Sequence, residues 1–160
     1  MTAALNIYPA QTKADLEAIR ELFHEYQEWL GVDLCFQGFE DELESLPGLY
    51  APPLGRLYLV GDKTTGGIAG CVAFKPLDNG RCEMKRLYVR NDWRGQGLGR
   101  KLTELALTEA RRAGHSHMCL DTLGHLTLAI ALYKSMGFQE IDAYYDNPLE
   151  DVRYMEIALS

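Results

Sequence analysis

No run in this chain approaches the ~20 consecutive apolar residues that a membrane helix needs, so no membrane partner is expected. The opening "MTAALNIYPA" has neither the basic cluster nor the apolar stretch of a secretory leader, and the expected location is the cytoplasm. The four cysteines, Cys35, Cys71, Cys82 and Cys119, include no Cys-x-x-Cys pair and read as buried free thiols of a reducing compartment. Histidine is equally scarce. His115, His117 and Cys119 alternate and would share one face of a strand, the nearest approach to a metal site. A loop-edge histidine followed by half-buried strand residues is the simpler expectation, so no metal is assigned. Basic residues (16) are outnumbered by acidic ones (23), and a net charge of -7 argues against a nucleic-acid partner. Repeats, linkers and low-complexity tracts are absent, and 160 residues suit one domain spanning 1–160.

The charge that is present is unevenly spread. Residues 13–44 hold ten acids and two bases, whereas residues 85–112 hold eight bases and three acids. The acidic third reads either as a solvated helix face or as an attractor for a cationic acceptor. The basic stretch surrounds glycines and suits a small polyphosphate.

Periodicity gives the order β α α β β β α β α β β. A short edge strand at 5–9 is followed by a helix that opens on a Thr12/Asp15 capping box and ends at Gly31. Residues 33–56 hold a short acidic helix and a Pro/Gly-rich loop. "LYLVGD" and "GGIAGCVAFKPL" read as strands. Asn79-Gly80 marks a tight hairpin leading into "RCEMKRLYV". A helix with Leu98, Leu102, Leu105 and Ala106 on one side ends at Gly114. "HMCLDT" is a strand, "LTLAIALYKSM" a helix, and "GFQEIDAYY" and "VRYMEIALS" close the sheet. The fold class is α+β (mixed α/β), an antiparallel meander beside a parallel β-α-β crossover over 81–121.

Between the strand ending at Val89 and the next helix stands "RGQGLGRK", Arg94 to Lys101. A glycine-rich turn before a helix presents backbone N–H groups and a partial positive charge to an anion. A P-loop requires Gly-Lys-Ser/Thr, but Gly99 is followed by Arg-Lys-Leu. A dinucleotide fingerprint requires a third small residue where Arg100 stands, and it usually follows the first strand rather than about the fourth. What remains is Arg/Gln-x-x-Gly-x-Gly/Ala, carried by Arg94, Gly97 and Gly99.

In that pattern the chain resembles the GNAT superfamily of acetyl-CoA-dependent N-acetyltransferases. "LYV" resembles the superfamily's splayed strand, "LDT" its partner, and "AIALYKSMGF" at 129–138 its helix-to-strand signature. The pieces stand in the right order over about 57–140, with the closing strand at 152–159. One position departs. The superfamily often has Asn three residues before the helix alanine, where it touches CoA; here that residue is Leu126, and one cofactor hydrogen bond is not carried over.

The resemblance implies a GNAT-like fold with a mostly antiparallel sheet, a splayed parallel pair and flanking helices. It implies acetyl-CoA as donor, with the pyrophosphate on Arg94, Gly95, Gln96, Gly97, Leu98, Gly99, Arg100 and Lys101, and the pantetheine along Leu87, Tyr88 and Val89. Glu83 stands where the histone-acetylating branch has its catalytic glutamate and is the candidate base; otherwise it is an exposed strand residue paired with Lys85 or Arg81. The N–H of Leu87 or Tyr88 would hold the oxyanion. Tyr133 resembles the general-acid tyrosine, its other reading being a core aromatic. In this superfamily the first helices and the last loop shape the acceptor site, here Trp29, Phe36, Gln37, Tyr144, Tyr145 and Asn147. The expected acceptor is a small-molecule primary amine. A protein N-acetyltransferase and a non-catalytic acyl-CoA-binding module are the alternatives, and a homodimer is an option.

Overall fold

The computed structural model describes residues 4–34 and 37–159. The elements follow the order read from the sequence: β1 (Leu5–Pro9), α1 (Lys13–Leu30), α2 (Phe39–Ser45), β2 (Arg56–Asp62), β3 (Ile68–Pro76), β4 (Arg81–Val89), α3 (Leu98–Arg112), β5 (His117–Leu123), α4 (Thr127–Ser135), β6 (Gln139–Ile141) and β7 (Val152–Ala158). Helix α1 opens on the reciprocal cap, with Thr12 Oγ1 accepting from the Asp15 N–H and Asp15 Oδ2 accepting from the Thr12 N–H, each at 3.0 Å. Asn79 and Gly80 both adopt positive φ, as a two-residue hairpin between β3 and β4 requires. Strand β6 is shorter than the alternation over 137–145 suggests. It pairs for three residues with β7, and residues 142–151 then leave the sheet.

The strands lie in the order β1-β2-β3-β4-β5-β7-β6, antiparallel except for β4 with β5. Each face of the sheet has its own core. Tyr58, Val60, Val72, Phe74, Met84, Met118 and Leu120 pack toward Leu102, Ala106 and Ala110 of α3 and Tyr133 of α4. Leu57, Leu59, Cys71 and Ala73 point the other way, to Ile19, Leu22 and Phe23 of α1 and Phe39 and Leu43 of α2. The period-two alternation of β2 and β3 thus feeds two apolar layers, the reason these strands read as nearly continuous hydrophobic runs.

Strand β4 changes parity part-way. Cys82 and Met84 belong to the α3 side, but so do Leu87 and Val89, while Tyr88 belongs to the α1 side. One extra residue is needed for that change, and the register with β3 slips between Cys71 and Ala73. The bulge centres on Arg86, whose φ of 61° lies in the left-handed region. Its consequence is that Lys85 borders the central cleft while its neighbour Arg86 stacks over Phe23, Tyr26 and Phe39.

The parallel pairing of β4 and β5 is brief. Arg81, Cys82 and Glu83 oppose His117, Met118 and Cys119, and the ladder stops there. Beyond Glu83 the two strands part and open a seam through the middle of the sheet.

Candidate active site

A cleft of about 100 Å³ occupies the seam. Its walls include Met84–Leu87 from β4, Leu120–Leu123 from β5, Leu126, Ala129 and Tyr133 around α4, and Trp29 and Gln37 from the α1–α2 side. The Tyr133 ring packs against Phe138. Its hydroxyl has no hydrogen-bond partner among the described residues, and burial raises the phenol above the usual tyrosine value.

At one end of the seam the chain runs from Val89 into the glycine loop. Arg94, Gly95, Gln96, Gly97, Arg100 and Lys101 are exposed, Gly99 is half-buried, and only the Leu98 side chain enters the core. Gly97 starts α3 with a φ of 76° and no side-chain cap, so the first-turn N–H groups face outward. A Cβ built at Gly95 or Gly97 would meet nothing within 4 Å, leaving room for a ligand against the backbone. Arg94 Nε donates to the Val89 carbonyl, and its guanidinium lies 5.1 Å from the Trp29 ring and 5.8 Å from that of Tyr88. Arg100 donates to Ser135 Oγ and ties α3 to α4. Leu126 begins α4 without a side-chain cap.

At the other end Glu83 is 4% exposed, not the exposed strand residue that its simpler reading required. Its Oε1 lies 3.8 Å from Lys85 Nζ and 3.9 Å from Lys75 Nζ, and Arg81 pairs instead with Asp78 and Glu156. The Tyr144 hydroxyl donates to Glu83 Oε2 at 2.6 Å. Tyr145 donates to Asp121 Oδ2, and so does Asn147 at 3.4 Å. Gln37 Nε2 reaches the Tyr145 hydroxyl at 3.3 Å. Burial first and the adjoining carboxylate second raise both phenols, Tyr144 through Glu83 and Tyr145 through Asp121. The β6–β7 loop therefore folds back onto Glu83 of β4 and onto Asp121 of the cleft wall. Of the expected acceptor residues, Trp29 and Gln37 border the cleft, Tyr144 bonds to Glu83, Tyr145 and Asn147 bond to Asp121 of the cleft wall, and Phe36 lies outside the described residues.

The acetyltransferase (GNAT) domain family matches residues 53–140, more than half of the chain. The chain belongs to the GNAT family. An uncharacterized N-acetyltransferase of Schizosaccharomyces pombe is 41% identical over 157 residues, covering 98% of this chain and 96% of the relative. Among solved structures, a GNAT acetyltransferase from Staphylococcus aureus superposes with a TM-score of 0.80 at 22% identity, covering 98% of this chain and all of the other, a likeness of fold. A Salmonella typhimurium protein solved with its cofactor acetyl-CoA gives 0.69 at 24% identity, covering 98% of this chain and 95% of the other. This GNAT protein is an acetyl-CoA-dependent acetyltransferase.

Two polar residues of the GNAT cleft, Arg86 and Asp121, escaped the reading of its sequence, and Lys85 entered it only as a partner of Glu83. The available signal was a polar residue at alternate positions of two central strands, Glu83/Lys85 and Cys119/Asp121. The histidines pair elsewhere: the His115 ring contacts the Leu54 carbonyl and His117 contacts Ser116. Most of the acidic third is a solvated face, with Glu17, Glu21, Glu28, Glu40, Asp41 and Glu44 exposed, while Glu25 pairs with Arg90, just beyond β4, and Glu42 with Arg86 of β4.

Arg86 is fully engaged. Nε and Nη2 donate to the two oxygens of Glu42 at 3.0 and 3.1 Å, and Nη1 donates to Gln37 Oε1 at 3.0 Å. These bonds hold the bulge in its left-handed conformation and fix α2 beside the cleft. Arg86→Met should strand the Glu42 carboxylate and cost about 3–5 kcal/mol, which thermal melting would read as a loss of roughly 10 °C.

Proposed function

We propose that this chain acts as one catalytic domain that transfers an acetyl group from acetyl-CoA to the primary amine of a small molecule, by direct attack of the amine on the thioester. The observation that carries the reading is the seam itself. The sheet parts directly after Glu83, and the cleft that opens there is lined by the edge of β4 from Met84 to Leu87 and by Tyr133, whose hydroxyl has no partner among the described residues. Strand β4 runs on from this cleft to the glycine loop and the N-terminus of α3.

The residues divide the work as follows. The N–H groups of the Arg94–Lys101 loop would hold the pyrophosphate, with Arg94, Arg100 and Lys101 supplying charge. The edge of β4 at Leu87, Tyr88 and Val89 would take the pantetheine arm. Glu83 accepts the proton that the amine loses, directly or through water. The Leu87 N–H, beside the bulge, would stabilise the oxyanion at the acetyl carbonyl. Tyr133 donates to the departing thiolate. Support for a small acceptor comes from the β6–β7 loop: Tyr144 and Tyr145 are bonded down onto Glu83 and Asp121, and the Gln37 contact joins that loop to the α1–α2 side.

Gly97→Val tests the donor site. A β-branched residue is strained at this positive φ, and it fills the open space against the backbone. Calorimetry should show CoA binding lost in the variant and NAD binding absent in the wild type; unchanged CoA affinity would remove the loop from the site. CoA release with a panel of amines tests the acceptor. Acetylation confined to folded proteins or long peptides would overturn the small-molecule reading.

A further inference from the structure

We infer that the acceptor carries a carboxylate next to its amine, as an α-amino acid does, and that Lys85 is the residue that receives this carboxylate; the inference rests on the acetyltransferase reading above. The Lys85 side chain is 6% exposed and borders the cleft. An ammonium offers three hydrogen-bond donors. Among the described residues Lys85 makes no hydrogen bond, and its one ion-pair partner, Glu83 Oε1, stands off at 3.8 Å. That carboxylate is already shared with Lys75 and with the Tyr144 hydroxyl. A cation buried with its donors unused is costly unless an anion joins it. Burial accordingly depresses the Lys85 ammonium, with the Glu83 carboxylate opposing.

The neighbouring cation cannot take this role, because all three of Arg86's donor nitrogens are committed to Glu42 and Gln37. The proposed donor brings no anion here either: its phosphates belong at the glycine loop, and the pantetheine arm is neutral. Across the seam stands Asp121, two residues beyond Cys119 on β5 as Lys85 is two beyond Glu83 on β4. Lys85 and Asp121 both border the cleft but form no ion pair with each other among the described residues. The two walls therefore present opposite charges to whatever lies between them, the complement of a zwitterion. An acceptor carboxylate on Lys85 would set the adjacent nitrogen between Asp121 and Glu83, the proposed base, whose Oε1 lies 3.8 Å from Lys85 Nζ.

The test uses three matched sets of probes with acetyl-CoA: α-amino acids, their carboxamides, and the amines left when the carboxylate is removed. CoA release gives kcat/KM for each. At least one amino acid should exceed its own carboxamide by about 10- to 100-fold, the worth of a charge-assisted hydrogen bond. Lys85→Met should bring that ratio close to one, and Lys85→Arg should restore it. If Lys85 served only to balance Glu83, Lys85→Met would slow both substrates alike and keep the ratio, which would overturn the inference. So would a wild-type ratio near one, a measurement that needs no variant to fold. Acetylation of plain amines alone would overturn the inference and leave the acetyltransferase reading intact. Failure to bind acetyl-CoA in calorimetry would overturn both.

Discussion

Glu83→Gln is expected to lower kcat by about 10²–10⁴-fold at neutral pH and to leave acetyl-CoA affinity unchanged. An aliphatic primary amine has a pKa near 10.4, so only about one molecule in 10³ is neutral at pH 7. The attack needs a group to take the proton, and the Glu83 carboxylate is buried where β4 and β5 part. Glutamine keeps the shape and still offers an oxygen to the Tyr144 hydroxyl, but it cannot accept the proton. The deficit should shrink as pH rises, because an already neutral amine has less need of a base. Lys75 and Lys85 lose their shared counter-charge in this variant, so its melting temperature should fall by a few degrees. Rates are therefore to be compared well below that temperature. Wild-type turnover across the pH range would return Glu83 to the role of structural partner for the two lysines and Tyr144.

What was legible in the sequence was mostly local. The Thr12/Asp15 cap, the Gly31 stop, the Asn79-Gly80 turn and the alternation in β2 and β3 each depend on residues within a few positions, and each fixes its element. The glycine loop was legible for the same reason. The bulge was not: Arg86 takes a left-handed conformation that a bulky residue rarely adopts, and only partners far along the chain, Gln37 and Glu42, hold it there. The strand alternation after Arg86 is consequently offset by one, and no pattern within β4 announces it. The end of β6 was hidden for a related reason. Residues 143–145 look like strand, but Tyr144 and Tyr145 are drawn off by the carboxylates of Glu83 and Asp121, about 61 and 24 positions earlier. Acid–base partners across such separations arise from the topology, so the polar half of the site emerged only with the fold.

Tyr133→Phe should separate chemistry from packing at the other wall of the cleft. The substitution removes one oxygen and keeps the ring that packs on Phe138. No hydrogen bond is lost in the free protein, because the hydroxyl has no partner among the described residues, and stability should move by no more than about 1 kcal/mol. The same hydroxyl is the group placed to meet a departing thiolate. Burial holds the phenol in its protonated form. It disfavours a buried thiolate in the same way, so the relative affinity of the two groups for the proton is largely preserved. Turnover should therefore fall by about 10²-fold or more, the proton then having to come from water. The decisive comparison is kcat beside the melting temperature of the same sample. A folded variant with a large loss of kcat makes Tyr133 the acid. A folded variant with full kcat makes it a packing residue, and the thiolate would then take its proton from solvent entering along the seam.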